Sequence, residues 1–557
     1  MRVNPASASP QISSRGLSSI VTRGRLALRR WREAALVDEI RTLSPEDSFR
    51  ALPAELRPQD AWHSWDPTPW AHPWLTSFNL EAAKAHSNLL LEQVVQNYGR
   101  LDRQASHRYG FVGNLANNMT FRATLLRERG LAVTTFLHPH DRHVMSQPGW
   151  EFSDAVIASG ETNIDRLATE GLTLPEVSEA VTLPAQNPDI SSLLILARDT
   201  PSRQWSRKVS PGFVRQLDVL LWPSYLTFLP ALEALQSCAS LLAAQAPYLA
   251  YLANRPYLAT QTGGDLWLEC SRNDSFGILQ RRSYERAAAI LATNPWAFSN
   301  ARRFGFRHVL YLPLMVDTER YAPGSREARS TWQRQTGGDF FVLVTARVDR
   351  RWKGSQIGLE GFIQFAKGHP QARLVLIGWG ENNAETVDEL KRRGLEGRFI
   401  QLPISGKRKL VEYLRAADCL LDQFVIGYYG ATALEAMATG VPVVMRLAKG
   451  QYDALCPTGA PPVLEARSPE EVAAQLAKLA ASSDERGRVA AASRRWVEQN
   501  HGVEVWGDRY AALLNAVALG ARLDFRRSPL RSRLDQNEIG YHAASLRAAP
   551  AFPNYLI

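Results

Sequence analysis

Short apolar runs alternate with longer amphipathic stretches along most of this chain, and the alternation predicts its elements. Tyr109–Val112 reads as a strand. The turn Gly113-Asn114-Leu115-Ala116-Asn117-Asn118 follows, rich in residues that cap helices and tolerate left-handed backbone. Met119–Arg129 reads as a helix stopped by Gly130, and Leu131–Leu137 as the next strand. Asp218–Trp222 predicts a strand, Phe228–Ala243 a helix, Tyr257–Thr260 a strand and Ser283–Leu291 a helix, with a closing strand near Val309. Gly324–Gly338 is polar and reads as a linker. A second alternation then begins. Strands are predicted at Phe340–Thr345, Arg373–Ile377, Phe399–Leu402, Cys419–Asp422 and Val441–Met445. The helices between them are Ile357–Lys367, Ala384–Arg393, Lys407–Ala416 and Ala431–Thr439. Strands of about six residues alternating with helices of about ten are a parallel-sheet signature. The expectation is an α/β protein with two Rossmann-like, doubly wound domains facing a cleft.

The boundaries follow from where the alternation starts and stops. Residues 1–105 read as a partly irregular extension, with Pro, Ser and Trp clustered between Pro58 and Trp74. Residues 106–325 form the first domain, 326–515 the second, and 516–557 a basic extension that packs across the domain seam or trails free. At 557 residues and 45% apolar content the chain can bury two full cores. The net charge of +10 favours anionic partners. Most of the excess sits at the ends: six Arg and no acid from Arg15 to Arg32, and five Arg against Asp524 from Arg522 to Arg533. With Ile20, Val21, Leu26, Leu28 and Leu36 interleaved among the first cluster, peripheral contact with an anionic membrane face is compatible with the sequence. Nucleic-acid binding would rest on these ends alone and is not expected. The cysteines Cys238, Cys270, Cys419 and Cys456 have no metal or redox spacing and read as reduced thiols. No signal peptide or membrane span is evident; uncharged Ala234–Asn254 contains Gln236, Ser237, Gln245 and Pro247 and reads as a buried helix followed by a turn. A cytoplasmic location is the expectation.

Ligands of parallel sheets bind beyond the carboxyl ends of the strands. After the first strand of the second domain come Arg347 and, six residues on, Lys353, just before a helix. Two cations there suit a di- or triphosphate, or are ordinary surface charge. Gly378-Trp379-Gly380 after the next strand allows close backbone approach, or is a plain tight turn. Gly430-Ala431-Thr432 opens a helix whose free amides can hold phosphate oxygens. Glu435, in that helix's second turn, can accept hydrogen bonds from two ribose hydroxyls, or is a helix-dipole acid. In the first domain, Asn114, Asn117 and Asn118 face the cleft or cap a helix. His138, His140 and His143 follow the second strand closely enough to raise a metal reading, beside which stand a cleft- or acceptor-lining role and a structural one.

The order Arg–(five residues)–Lys, helix, strand, Gly-x-Gly, then Gly430-x-x-x-x-Glu435-Ala-Met-Ala-x-Gly-x-Pro-Val-Val resembles the donor domain of the GT-B fold. It is similar to that of the retaining transferases of glycosyltransferase family 4. Leu312 to Asp317 with Tyr321 to Pro323 resembles that family's inter-domain crossing, and Gly263-Gly264-Asp265 its loop before the last acceptor-domain helices. The resemblance covers about Tyr109 to Tyr510. It implies a sugar moved from a nucleoside-diphosphate sugar to a glycan, lipid-linked or protein acceptor, with no cofactor and no metal. Arg347 and Lys353 would hold the diphosphate, Glu435 the ribose, and the Gly378, Gly380 and Gly430–Thr432 backbone the donor. Asn114, Asn117, Asn118, His138 and Asp265 would lie on the acceptor side. One departure stands out: the family's second Glu, eight residues before Glu435, is Gly427 here. The carboxylate on the transferred sugar is then absent, or supplied by Asp422 or backbone. The alternatives are a catalytically silent nucleotide-sugar-binding protein of this fold, an epimerase, or a phosphorylase, whose cofactor-lysine signature is missing.

Overall fold

The computed structural model describes residues 79–99, 107–138, 141–183, 231–245, 247–266, 269–271, 275–350 and 352–531. Two parallel sheets frame it. The first runs in spatial order Ala180–Thr182, Ala132–Leu137, Arg108–Val112, Ser240–Ala244, Tyr257–Thr260, Ile290–Ala292, Val309–Tyr311. The second runs Phe399–Leu402, Ala372–Ile377, Phe340–Val344, Cys419–Leu421, Val443–Met445, Leu464–Glu465. Strand order reverses beside Arg108–Val112 in one and beside Phe340–Val344 in the other, and a crevice opens at such switch points. Phe340–Val344 shows why a continuous apolar run makes a central strand. Phe341 and Leu343 face one apolar cluster with Met437, while Phe340 and Val342 face another with Phe362.

Several expectations need correction. Ser240–Ala244 overlaps the end of the expected helix Phe228–Ala243 and lies inside the Ala234–Asn254 segment, yet it is a fully buried strand. Its Ser-Leu-Leu-Ala-Ala sequence has no β-branched residue, so local propensity points to helix; pairing with Arg108–Val112 and Tyr257–Thr260 overrides it. The expected helix Ser283–Leu291 is Ser275–Arg286, and Ile290–Ala292 is a strand. The expected linker contains the helix Glu327–Thr336. It is pinned by Arg329, whose Nη1 lies 2.7 Å from buried Asp418, and by Trp332 against Phe341 and Tyr413. The irregular extension ends in a regular helix, Leu80–Tyr98, whose Leu80, Ala83, Leu90, Leu91 and Val94 join the first domain's core. Leu523, Phe525 and Leu530 pack on the same core and not across the seam. The expected strand Asp218–Trp222, the basic segment 15–36 and residues 532–557 lie outside the described residues. The four cysteines are free and buried.

The chain crosses between domains at Leu312–Val316 and returns at His501–Gly502. The two passages touch: the Val316 amide donates to the His501 carbonyl at 2.8 Å, and Val316 pairs with Gly502 as a parallel bridge. The helix Val503–Ala518 then buries Trp506, Tyr510, Leu513 and Leu514 in the first domain's core. A second tie is the antiparallel pairing of Val156–Ile157 with Ile404–Ser405. Gly406 beside it has no room for a Cβ, which would meet the Ser153 carbonyl oxygen at 2.2 Å.

His501 at the return passage is wholly buried. Its Nε2 lies 3.0 Å from the Tyr429 hydroxyl and its Nδ1 2.7 Å from the Leu314 carbonyl. Burial pushes its pKa from 6.5 down to about 4. The unfolded chain therefore takes up a proton that the folded one refuses. The contribution is fully present above pH 6.5 and is lost as pH falls toward 4, by roughly 3 kcal/mol. Denaturation midpoints measured from pH 7 to 4 are expected to fall across this window, and less steeply in His501→Gln.

Candidate functional site

The site is built from loops at the carboxyl ends of the second sheet. Gly380 adopts φ +109, and a Cβ there would sit 2.5 Å from the Val348 backbone nitrogen and oxygen. This close approach clamps the loop above it. The Val348 amide donates to the Trp379 carbonyl at 2.8 Å, the Asn382 amide to the Val348 carbonyl at 3.1 Å, and the Trp379 indole to the Thr345 carbonyl at 3.1 Å. At Gly378 a Cβ would press only on the Gln401 side-chain amide, at 2.6 Å from its nitrogen. Arg347 is thereby fixed at the rim, its side chain 41% exposed and paired with Asp349 at 3.0 Å.

Lys353 is held twice by one segment. Its Nζ donates to Gln423 Oε1 at 3.1 Å, and its carbonyl accepts from the Phe424 amide at 2.8 Å. Asp422, next to that segment, is buried with both carboxylate oxygens unpartnered. Burial pushes its pKa up, and Lys353 acts against the shift. Gly427 sits at φ +75. An L side chain there costs roughly 1–2 kcal/mol, so the backbone at this position is shaped for glycine and not only deprived of a carboxylate. Gly430 caps the helix Ala431–Ala438, and a Cβ there would meet nothing within 4 Å. That helix start, with Ala431 and Thr432 half-buried, is open.

Glu435 lies on the same helix at the inter-domain crevice. Lys407 Nζ donates to its Oε1 at 2.6 Å, and its buried Oε2, near the Tyr321 hydroxyl, makes no well-aligned hydrogen bond among the described residues. From the first domain, Glu151 approaches the same cluster. It accepts from Arg320 Nη1 at 2.8 Å and is wholly buried. Burial pushes Glu151 upward, Lys407 and Arg320 oppose it, and Glu435 reinforces it. Two buried carboxylates and two partly buried cations thus couple the two domains across the crevice.

The first-domain residues divide. Asn114 spends its side chain on structure: its Nδ2 donates to Asn117 and to the Ser146 carbonyl, and its Oδ1 accepts from the Met119 and Thr120 amides. Asn117, at φ +61, donates to the Gln147 carbonyl. Asn117 and Asn118 line the crevice with Glu435 and Lys407. His138 Nε2 lies 3.3 Å from the Tyr248 hydroxyl. Asp265 is enclosed, accepting from Thr262, Gly263 and Tyr284. His143, not singled out alone in the sequence, faces the donor loops: its ring lies 6.3 Å from that of Trp379, and burial with the nearby Arg347 charge lowers its pKa. Sequence reasoning also missed Lys407, Gln423, Glu151 and Arg320. Lys407 is the first residue of a predicted helix, but its partner is 28 positions away. Among the described residues no group of three or more His, Cys, Asp or Glu could hold a metal ion.

Residues 327–496 match the family described as glycosyl transferases group 1. Mannosylfructose-phosphate synthase of Agrobacterium fabrum is 29% identical over 157 residues, 27% of this chain and 35% of that protein. D-inositol 3-phosphate glycosyltransferase of Corynebacterium jeikeium is 30% identical over 182 residues, 31% of this chain and 43% of that protein. The chain therefore spans well under half the length of these curated relatives. The solved sucrose-phosphate synthase of Thermosynechococcus elongatus aligns with a TM-score of 0.50 at 15% identity, over 74% of this chain and all of that one, a likeness of fold. The fold is GT-B, with two parallel-sheet domains as expected. The domain that carries Arg347, Lys353 and Glu435 is thus similar to the group 1 glycosyl transferases.

Proposed function

We propose that the chain moves a sugar from a nucleoside-diphosphate sugar to an acceptor hydroxyl, with retention, in glycan or polysaccharide assembly. The observation that carries this is one placement. Arg347, Lys353 and the open start of Ala431–Ala438 share the carboxyl-end rim of the second sheet, and Glu435 offers a buried oxygen beside them. The cations neutralise the diphosphate as it leaves, the amides at Gly430–Thr432 touch its oxygens, and Glu435 binds the ribose. The bond from the anomeric carbon to the phosphate oxygen breaks and a bond to the acceptor oxygen forms on the same face. The acceptor's proton passes to the departing phosphate. Acceptors of the glycan, lipid-linked and protein classes fit this chemistry.

On this reading no metal cofactor is needed, because side-chain cations stabilise the leaving group; turnover is expected to be unchanged in excess EDTA. The protein would work in the cytoplasm, touching the inner membrane face through its basic ends. Among the described residues no helix is long and apolar enough to cross a membrane. A second reading is a silent nucleotide-sugar binder, favoured by the glycine-shaped backbone at Gly427. The test is a thermal-shift screen with nucleoside diphosphates and their sugars, followed by donor turnover. Stabilisation with turnover supports the transferase, and stabilisation without it the silent binder. No stabilisation by any nucleotide overturns both.

A further inference from the structure

Arg122 projects from the helix Asn118–Glu128 into the inter-domain crevice, where it shares a wall with Asn118, Ala431 and Glu435. It is 2% exposed, and among the described residues neither Nε nor Nη1 has a partner. Its neighbour Tyr510 cannot serve, because that hydroxyl donates to the Leu312 and Pro313 carbonyls at 3.4 and 2.9 Å. The nearby acids are engaged, Glu435 by Lys407 and Glu151 by Arg320. Neither carboxylate reaches Arg122, whose guanidinium has no ion-pair partner among the described residues. A guanidinium stripped of water and given no counter-charge is costly, and its fork geometry fits a planar or tetrahedral oxyanion. The helix start beside it adds no free amide, since Asn114 already accepts from Met119 and Thr120. The Asn118 side chain, half-buried at the rim, is the available second donor.

We propose that Arg122 and Asn118 form an anion subsite that takes a phosphoryl or carboxylate group of the ligand in the crevice. The proposal rests on the donor reading given above, which puts the ribose on the facing Glu435. The anion has two possible sources, the donor's own diphosphate or an acidic group on the acceptor. Calorimetric titrations of the full chain separate them. One arm titrates UDP and GDP into wild type, Arg122→Gln and Arg122→Lys. The other titrates inorganic phosphate into each protein saturated with the tighter of the two nucleotides. In Arg122→Gln one of these affinities falls about ten- to a hundredfold, with part regained in Arg122→Lys. Loss in the nucleotide arm identifies the diphosphate; loss in the phosphate arm alone identifies an acidic acceptor. The unliganded Arg122→Gln protein melts no lower than wild type, because the lost charge had no partner. Unchanged affinities in both arms overturn the proposal, as does a marked drop in unliganded melting temperature that Arg122→Lys restores. Wild type that binds neither nucleotide removes the donor reading instead, and phosphate titrated into nucleotide-free protein then still decides on Arg122.

Discussion

Lys353→Ala is expected to lower turnover about a hundred- to a thousandfold at saturating donor with the fold intact. The reasoning is electrostatic. On the proposed transferase reading, negative charge grows on the diphosphate as the sugar departs, and a fixed cation stabilises that state more than the bound substrate. Lys353 is fixed in two ways, through Gln423 Oε1 and through the Phe424 amide. Arg347, at 41% side-chain exposure and shared with Asp349, is in a wetter position, so Arg347→Ala should fall at the lower end of the same range. The measurement is kcat with KM, checked by circular dichroism. Near-normal kcat in a folded Lys353→Ala protein would sink the transferase reading.

Lys407→Met carries the largest expected cost in stability, about 3–5 kcal/mol. The substitution keeps the apolar stem but strands the Glu435 carboxylate, one of whose oxygens already makes no well-aligned hydrogen bond among the described residues. That is a large share of the roughly 5–15 kcal/mol that holds a typical protein folded. Removing both charges avoids the stranded group, so Lys407→Met with Glu435→Leu should regain most of the loss in urea denaturation. A double variant as unstable as the single would mean that the pair contributes packing and not charge balance.

These buried pairs mark where sequence reading ran out. Five of the second sheet's six strands were legible because runs such as Phe340-Phe-Val-Leu-Val are apolar on both faces, whereas the two-residue edge strand Leu464–Glu465 was too short to read. Ser240–Ala244 was not, because its residues favour helix and only its two neighbours make it a strand. The helix Leu80–Tyr98 carried a readable stripe at Leu80, Ala83, Leu90, Leu91 and Val94, obscured by the Pro- and Trp-rich stretch before it. Arg347, Lys353 and Glu435 could be picked out because their loops follow strand ends at readable spacing. Gln423, Lys407, Glu151 and Arg320 act through partners 70, 28 and 169 positions away, distances at which local pattern carries no information.

The adjacency of Val316 and Gly502 has a practical consequence. The second domain is, in topological terms, an insertion into the first, with its entry and exit side by side at one bridge. Cutting there and rejoining leaves a gap that a short link closes, with the helix Val503–Ala518 still seated in its own core. The second domain can therefore be exchanged as a cassette between relatives. Such a chimera has two seams to repair, the Val156–Ile157 pairing and the Glu151–Arg320 salt bridge.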